Sequence, residues 1–253
     1  MSIGADLAVL AAGLVAGTIN AVVGSGSLVT FPTLLAVGLP PLTANVSNTV
    51  GLVPGSVAGA VGYRRELAAS RRHLFALVGF TAAGAVAGAA LLLALPSSIF
   101  DKAVPVLVLL AVALMAAQPR LAARLAAQGR APQGAGWALR LGVFATGVYG
   151  GYFGAAQGVI LLGLLGLLLP VTLQQANGVK NVLGGLANLV AGVAFILVAH
   201  VDWAMAGLVA AGSSVGGVLG ARYGRRLSAP ALRRIVVVAG TVVGVVLLVQ
   251  NHG

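Results

Sequence analysis

Charged residues are scarce in this chain, and cysteine is absent. Of the 253 residues, 8% are charged, only four are acidic and 59% are hydrophobic, and the mean hydropathy is +1.05. Soluble domains carry about 25% charged residues. The absence of cysteine excludes disulfides, thiolate nucleophiles and cysteine metal sites. The composition therefore predicts an all-α polytopic membrane protein.

Apolar segments divide the chain into predicted helices. Seven windows are long enough to cross about 30 Å of hydrocarbon, and they are 5–23, 43–62, 74–95, 102–118, 174–199, 203–221 and 231–250. Three further apolar segments, 28–38, 138–153 and 158–169, are too short. No Lys or Arg precedes the first window and no small-residue cleavage site is evident, so we expect no removable signal peptide.

No pattern typical of an enzyme is present. The three histidines lie at span ends or in the tail, without the spacing of a metal motif. We place all four acids in or near loops, which leaves no acid–base pair inside the membrane: Asp6, Glu66, Asp101 and Asp202. We therefore expect no catalytic residue, no metal and no cofactor.

The net charge of +11 comes mainly from three loops. Arginines at 64–72, 120–140 and 222–234 account for 13 of the 15 basic residues. Basic residues in short loops mark the cytoplasmic side of a membrane protein. A nucleic-acid surface would need a continuous basic face with aromatic or polar readers. We therefore expect the lipid bilayer, and not nucleic acid, as the partner of this chain.

Two stretches of the sequence are alike. The segment NAVVGSGSLVTFPTLLAVGLPPLTANVSNTVGLVPGS, 20–56, parallels GGYFGAAQGVILLGLLGLLLPVTLQQANGVKNVLGGLAN, 150–188. Gly24 aligns with Gly154, and ANVSNTV aligns with ANGVKNV. Repeats of this kind give two similar halves with a shared site. We predict a first repeat at 1–118, a basic cytoplasmic linker at 119–137 and a second repeat at 138–253.

The basic loops also orient the two repeats. They place the turn at 38–41 outside and the equivalent turn at 167–170 in the cytoplasm, which predicts an inverted-topology repeat. Residues 138–169 then form a re-entrant helical hairpin, matched by 5–38 from the opposite side, and the hairpin tips meet near the membrane midplane. In the alternative, 5–23 spans the membrane fully and 28–38 extends a broken helix.

The hairpin tips are glycine-rich and precede short helices. Free N–H groups and the positive dipole end of each short helix would point at the midplane, where they favour an anion. Serine and glutamine add neutral donors at 24–27 and 154–157. Glycine also serves close packing of membrane helices, which is the alternative explanation.

Asparagines recur on one face of two predicted helices. Asn45 and Asn48 are three residues apart, and Asn177, Asn181 and Asn188 recur at spacings of four and seven. Buried amides often join membrane helices by hydrogen bonds. Their matched positions after a proline-marked helix start in both halves favour a lined cavity.

Lys180 is the one charged residue between 173 and 199. Its long stem could extend to the cytoplasmic headgroups. Its polar neighbours instead place it beside the cavity. An ion inside the membrane costs several kcal/mol unless it is paired. Apart from Asp6, at the start of the window 5–23, we find no acid in a predicted span. We therefore expect an anionic substrate to supply the counter-charge.

Several motifs resemble the TauE/SafE family of membrane permeases, often described as sulfite exporters. They are NAVVGSGSLVTFPTLLAVGLPP with ANVSNTVGLVPGS, and GYFGAAQGV with NGVKNVLGGLAN and HVDW, over about 200 residues. The family's glycine run is here GSGS at 24–27, and an acid common near its start is Asn20. The resemblance implies a bacterial inner-membrane, multi-pass exporter of sulfite, sulfonates or related organosulfur anions.

The predicted substrate site combines the tips, the asparagine faces and the lysine. Its residues are Asn20, Gly24, Ser25, Gly26, Ser27, Asn45, Asn48, Thr49, Gly154, Gln157, Asn177, Lys180 and Asn181. An anion channel, a permease for small carboxylates and a membrane enzyme remain alternatives. Series of glycines at GxxxG spacing, such as 84 and 88, indicate either a homodimer or packing within one bundle.

Overall fold

The computed structural model describes residues 2–127, 136–224 and 229–250. Within these ranges the chain forms α-helices and no strand. The helices are α1 (Ile3–Val22), α2 (Ser27–Ala36), α3 (Pro41–Gly62), α4 (Arg64–Ala69), α5 (Arg71–Ala94), α6 (Ser97–Ala127), α7 (Trp137–Tyr152), α8 (Gln157–Leu168), α9 (Leu173–Val198), α10 (Trp203–Tyr223) and α11 (Ala229–Gln250).

Five helices in the described ranges are long and apolar enough to cross a membrane. They are Ile3–Val22, Arg71–Ala94, Ser97–Ala117, Leu173–Val198 and Trp203–Tyr223, and each matches a predicted window. The prediction of an all-helical polytopic membrane protein is confirmed. α1 has 20 residues, about 30 Å of helix. It is therefore long enough to cross the bilayer alone, as in the broken-span alternative.

Two other predicted windows form helices but are not among these five. α3 has 22 residues, and its asparagine, serine, threonine and glycine content lowers its hydropathy. α11 contributes a shorter apolar stretch, Val236–Val249. α6 continues to Ala127, into the predicted linker at 119–137. Residues 128–135 and 225–228, which include Arg130, Arg225 and Arg226 of the basic loops, lie outside the described residues.

Helix packing recurs between the two halves of the chain. α1 packs along α10 and α7 packs along α5, while α3 and α9 contact each other. Both long pairs approach closely at glycines: a Cβ on Gly216 would lie 2.0 Å from the Leu14 carbonyl oxygen, and one on Gly88 would lie 2.0 Å from that of Val148. These GxxxG glycines pack within one chain. A homodimer therefore remains a prediction without support from these glycines.

The helix breaks fall where the glycine-rich segments predict them. α1 ends at Val22 and α2 begins at Ser27, whereas α7 ends at Tyr152 and α8 begins at Gln157. Gly24 and Gly154 have φ values of +94° and +79°, which favour glycine. The amide of each glycine donates to the carbonyl five residues earlier, as is common where helices end at glycine. Both breaks therefore share one backbone geometry.

Candidate functional site

The two helix breaks contact each other. We call residues 23–26 the first tip and residues 153–156 the second tip. A Cβ on Gly24 would lie 2.5 Å from the Cα of Gly158, the second residue of α8. The rings of Phe31 and Phe153 also pack edge to face across the tips, with centroids 5.2 Å apart. Only glycine permits this separation of the two backbones.

A small cavity lies beside this contact, between the tips and helices α3 and α9. Its volume is about 20 Å³. A cavity needs about 10–15 Å³ on this scale to hold one water molecule. An oxyanion therefore fits only after the surrounding helices move apart. Eight predicted site residues line it: Asn20, Gly24, Gly26, Ser27, Gly154, Gln157, Lys180 and Asn181.

Lys180 is buried at the wall of this cavity, with 2% of its surface exposed. Its Nζ donates to the carbonyl oxygens of Asn20, at 2.8 Å, and of Ala21, at 3.2 Å. The side chain thus extends towards α1 and not towards the headgroups. An ammonium group has three N–H donors, so one donor remains beyond these two hydrogen bonds.

The acceptors of Lys180 belong to the last turn of α1. Carbonyls in the last turn of a helix have no partner within the helix and carry its partial negative charge. Lys180 and Asn181 bond to them from α9, because the Asn181 Nδ2 also donates to the Ala21 carbonyl at 3.3 Å. The lysine therefore caps α1 and lines the cavity at the same time.

The second tip has a neutral version of this arrangement. The Asn45 Nδ2, on α3, donates to the Tyr152 carbonyl at the end of α7, at 3.1 Å. Asn48 aligns with Lys180 in the repeat, and its Oδ1 accepts a hydrogen bond from the Thr30 hydroxyl. Each half thus caps the broken helix of the other half, but only α9 does so with a charge.

Gln157 borders the cavity with a free donor. Its side chain is 4% exposed, and in the described part of the chain its Nε2 has no hydrogen-bond partner. It lies over Gly150, where a Cβ would be only 2.3 Å from that Nε2. Together with the third donor of Lys180, the amide gives the cavity two donor groups that protein acceptors leave unused. Buried donors of this kind suit an anionic or acceptor-rich ligand.

Five predicted site residues do not line the cavity. Ser25 donates from Oγ to the Met115 Sδ at 3.2 Å, and Thr49 donates to the Asn45 carbonyl at 2.8 Å. Asn177 is buried, and its Oδ1 has no partner among the described residues. A binding role stays a prediction for all five: Ser25, Asn45, Asn48, Thr49 and Asn177.

Other residues lining the cavity were not in the predicted set. They are Ser56, Gly158, Gly184, Gly185 and Asn188. Ser56 accepts a hydrogen bond from the Asn20 Nδ2 at 3.4 Å. It lies 11 residues after Asn45, about three helical turns. Helical periodicity placed Asn188 on the asparagine face of α9, and the same periodicity could have identified Ser56 as an extension of the asparagine face of α3.

The four acids lie outside the cavity lining and close to the starts of helices. Asp6 is in the first turn of α1, and Asp101 lies near the start of α6. These helices begin before the hydropathy windows, because a helix start tolerates polar residues near the membrane surface. Asp202 caps α10 by accepting from the Met205 amide at 3.0 Å. The cavity lining described above contains no carboxylate.

Comparisons with known sequences find membrane transporters along nearly the whole chain. A sequence profile described as "Sulfite exporter TauE/SafE" matches residues 9–247. A "Probable membrane transporter protein" of Haemophilus influenzae is 28% identical and covers 94% of this chain and 93% of its own. The "Probable membrane transporter protein YfcA" of Escherichia coli is 26% identical, at 95% and 88% coverage. No solved structure matches.

Proposed function

The chain belongs to the TauE/SafE family of membrane transporters, and we propose that it exports a small sulfur oxyanion or organosulfonate across the bacterial inner membrane. Sulfite and simple sulfonates are the expected substrates. The anion would bind in the cavity between the two tips, next to Lys180. The family profile supports the sulfur-anion class through its description, and the lining of the cavity supports an anion.

One observation carries the proposal. Lys180 is buried beside a cavity whose described lining contains no carboxylate, and two backbone carbonyls occupy only part of its hydrogen-bonding capacity. A buried ammonium without an anion is costly, because carbonyl dipoles offset only part of its lost hydration. An anion that accepts hydrogen bonds from the remaining N–H of Lys180 and from the Gln157 amide would compensate the buried positive charge.

Inverted topology is part of the same proposal. The helix pairs α1–α2 and α7–α8 would enter from opposite faces of the membrane and bring their tips to the midplane. Packing of α1 on α10 and of α7 on α5 supports two equivalent halves. Because the cavity is too small for the anion in this conformation, a relative movement of the halves would open it alternately to each side.

Membrane potential is the proposed driving force. Among the residues that the structure describes, no carboxylate lines the cavity as a proton relay. Exporting a monovalent anion from a negative-inside cell gains about 2.3 kcal/mol per 100 mV. That energy sustains roughly a 50-fold concentration gradient, since about 1.4 kcal/mol corresponds to a factor of ten.

Proteoliposome flux tests this proposal directly. Sulfite, sulfoacetate, taurine, sulfate and acetate are offered at equal pH on both sides, under a potassium potential clamped with valinomycin. We expect saturable movement of a sulfur anion towards the positive side. Movement driven by a pH gradient and indifferent to the potential would contradict the proposed coupling. Preference for acetate would favour a carboxylate permease, and flux that does not saturate would favour a channel.

A further inference from the structure

Four helix termini lie at the two tips beside the cavity, and their partial charges oppose each other. α2 and α8 begin at the tips, whereas α1 and α7 end there. A helix carries roughly +0.5 charge at its N-terminus and −0.5 at its C-terminus. Each tip therefore contributes one end of each sign, and the net contribution of the helix dipoles is close to zero. The tips supply hydrogen-bond donors to a ligand but little net charge.

Lys180 supplies the fixed charge of the cavity. The other described lining residues are glycines and the neutral side chains of asparagine, glutamine and serine. Its ammonium group already contacts two carbonyls of α1, and these do not carry a formal charge. With Lys180 protonated, the cavity lining has a net charge of about +1, which a single negative charge neutralises.

From this charge balance we propose that the cavity selects compact monoanions over compact dianions. The inference rests on the proposed transport function and narrows its substrate class to bisulfite, monosulfonates and similar ions. A compact dianion would carry a second negative charge into a low-dielectric site without a counter-ion, which is strongly unfavourable. Neutral donors such as Gln157 stabilise both a monoanion and a dianion, so they do not compensate the second charge of the dianion.

Methanesulfonate and sulfate form a matched pair for the test. Both are tetrahedral sulfur anions of similar size, and they differ by a methyl group in place of one charged oxygen. Each is titrated against purified wild-type protein in nanodiscs, with displacement of labelled sulfite as the readout at a pH where sulfite is mainly bisulfite. We expect sulfate to bind at least about tenfold more weakly than methanesulfonate.

The chain has a second lysine that serves as control. Lys102 is exposed on α6 and outside the cavity lining. Lys180→Gln should weaken the binding of both anions, and that of sulfate at least as much, because a dianion loses about twice the Coulomb attraction; Lys102→Gln should leave both affinities unchanged. Unchanged methanesulfonate affinity in folded Lys180→Gln would overturn the assignment of the neutralising charge to Lys180.

Different binding results would contradict monoanion selection and anion transport. Equal affinity of wild-type protein for sulfate and methanesulfonate would overturn monoanion selection and leave anion transport standing. Binding of none of the sulfur anions, including sulfite, would contradict the proposed function and the inference with it. Comparing sulfate and methanesulfonate binding to the wild-type protein tests monoanion selection even if a lysine variant fails to fold.

Discussion

The first and second tips have the same backbone but different electrostatics. Both follow a helix that ends at a glycine with positive φ, and both precede a short helix. At the first tip, Lys180 and Asn181 cap the broken helix from α9. At the second tip, the neutral side chain of Asn45 caps the broken helix α7 from α3. The charged cap lies at the cavity, and the neutral one does not.

The two repeats share the backbone geometry of the tips, but only one of them places a charge beside a tip. A repeated glycine-rich segment is enough to break two helices and bring the breaks together. The caps come from different positions of the repeat, because Asn45 aligns with Asn177, whereas Lys180 aligns with Asn48, which accepts from Thr30. In this account, anion affinity arises from the charge that the second half carries at Lys180.

The largest effect that we expect concerns the orientation of the two halves. Because the chain has no native cysteine, Pro41→Cys and Thr172→Cys introduce unique labels at equivalent helix starts. An impermeant maleimide added to intact cells should label position 41 and reach position 172 only after permeabilisation. Equal external labelling of both positions would show that the halves are parallel and not inverted.

A second test compares the two glycines. Gly24→Ala combines a positive φ, which costs about 1–2 kcal/mol, with a backbone clash that costs about 1–3 kcal/mol more. Gly154→Ala also places a non-glycine residue at positive φ. Its Cβ, however, would lie 3.1 Å from the nearest atom, the carbonyl oxygen of Gly150, whereas the Cβ at position 24 would lie 2.5 Å from the Gly158 Cα. Thermal unfolding in detergent should therefore show a larger loss of stability for Gly24→Ala. Equal losses would argue against close contact between the tips.

The third test removes the charge that distinguishes the halves. Lys180→Met should weaken sulfite binding by about 1–3 kcal/mol, the scale of a lost charge-assisted hydrogen bond. Binding is measured by titration calorimetry on purified protein, with thermal unfolding to verify the fold. Lys102→Met, the same change on an exposed part of α6, is the control and should bind as wild type does. Unchanged affinity in Lys180→Met would reduce Lys180 to a structural cap.

Local sequence features predicted the helix breaks and most of the cavity. Glycines with positive φ cannot be replaced easily, so the segments around Gly24 and Gly154 identify the end of a helix without tertiary information. Helical periodicity likewise placed Asn181 on the cavity side of α9. It did not distinguish Asn177, which lies about 6 Å further along the helix axis and outside the lining.

Other features depend on contacts that no local pattern encodes. Lys180 bonds to carbonyls about 160 positions away in the chain, and nothing near it in sequence indicates that α1 leaves those carbonyls available. Short helices and helix extensions were also missed: α4 is only six residues long, and α6 continues through a basic segment. The polar residues in both segments predicted loops. A helix can, however, continue beyond the membrane into water.

Locating a bound anion tests the central claim most directly. Selenite is a close analogue of sulfite, and its selenium scatters anomalously, so a crystal grown with selenite reveals the position of the ion. The account predicts an anomalous peak between the tips, with a selenite oxygen within about 3.2 Å of the Lys180 Nζ. A selenium peak confined to the basic loops, with the cavity empty at saturating selenite, would contradict it.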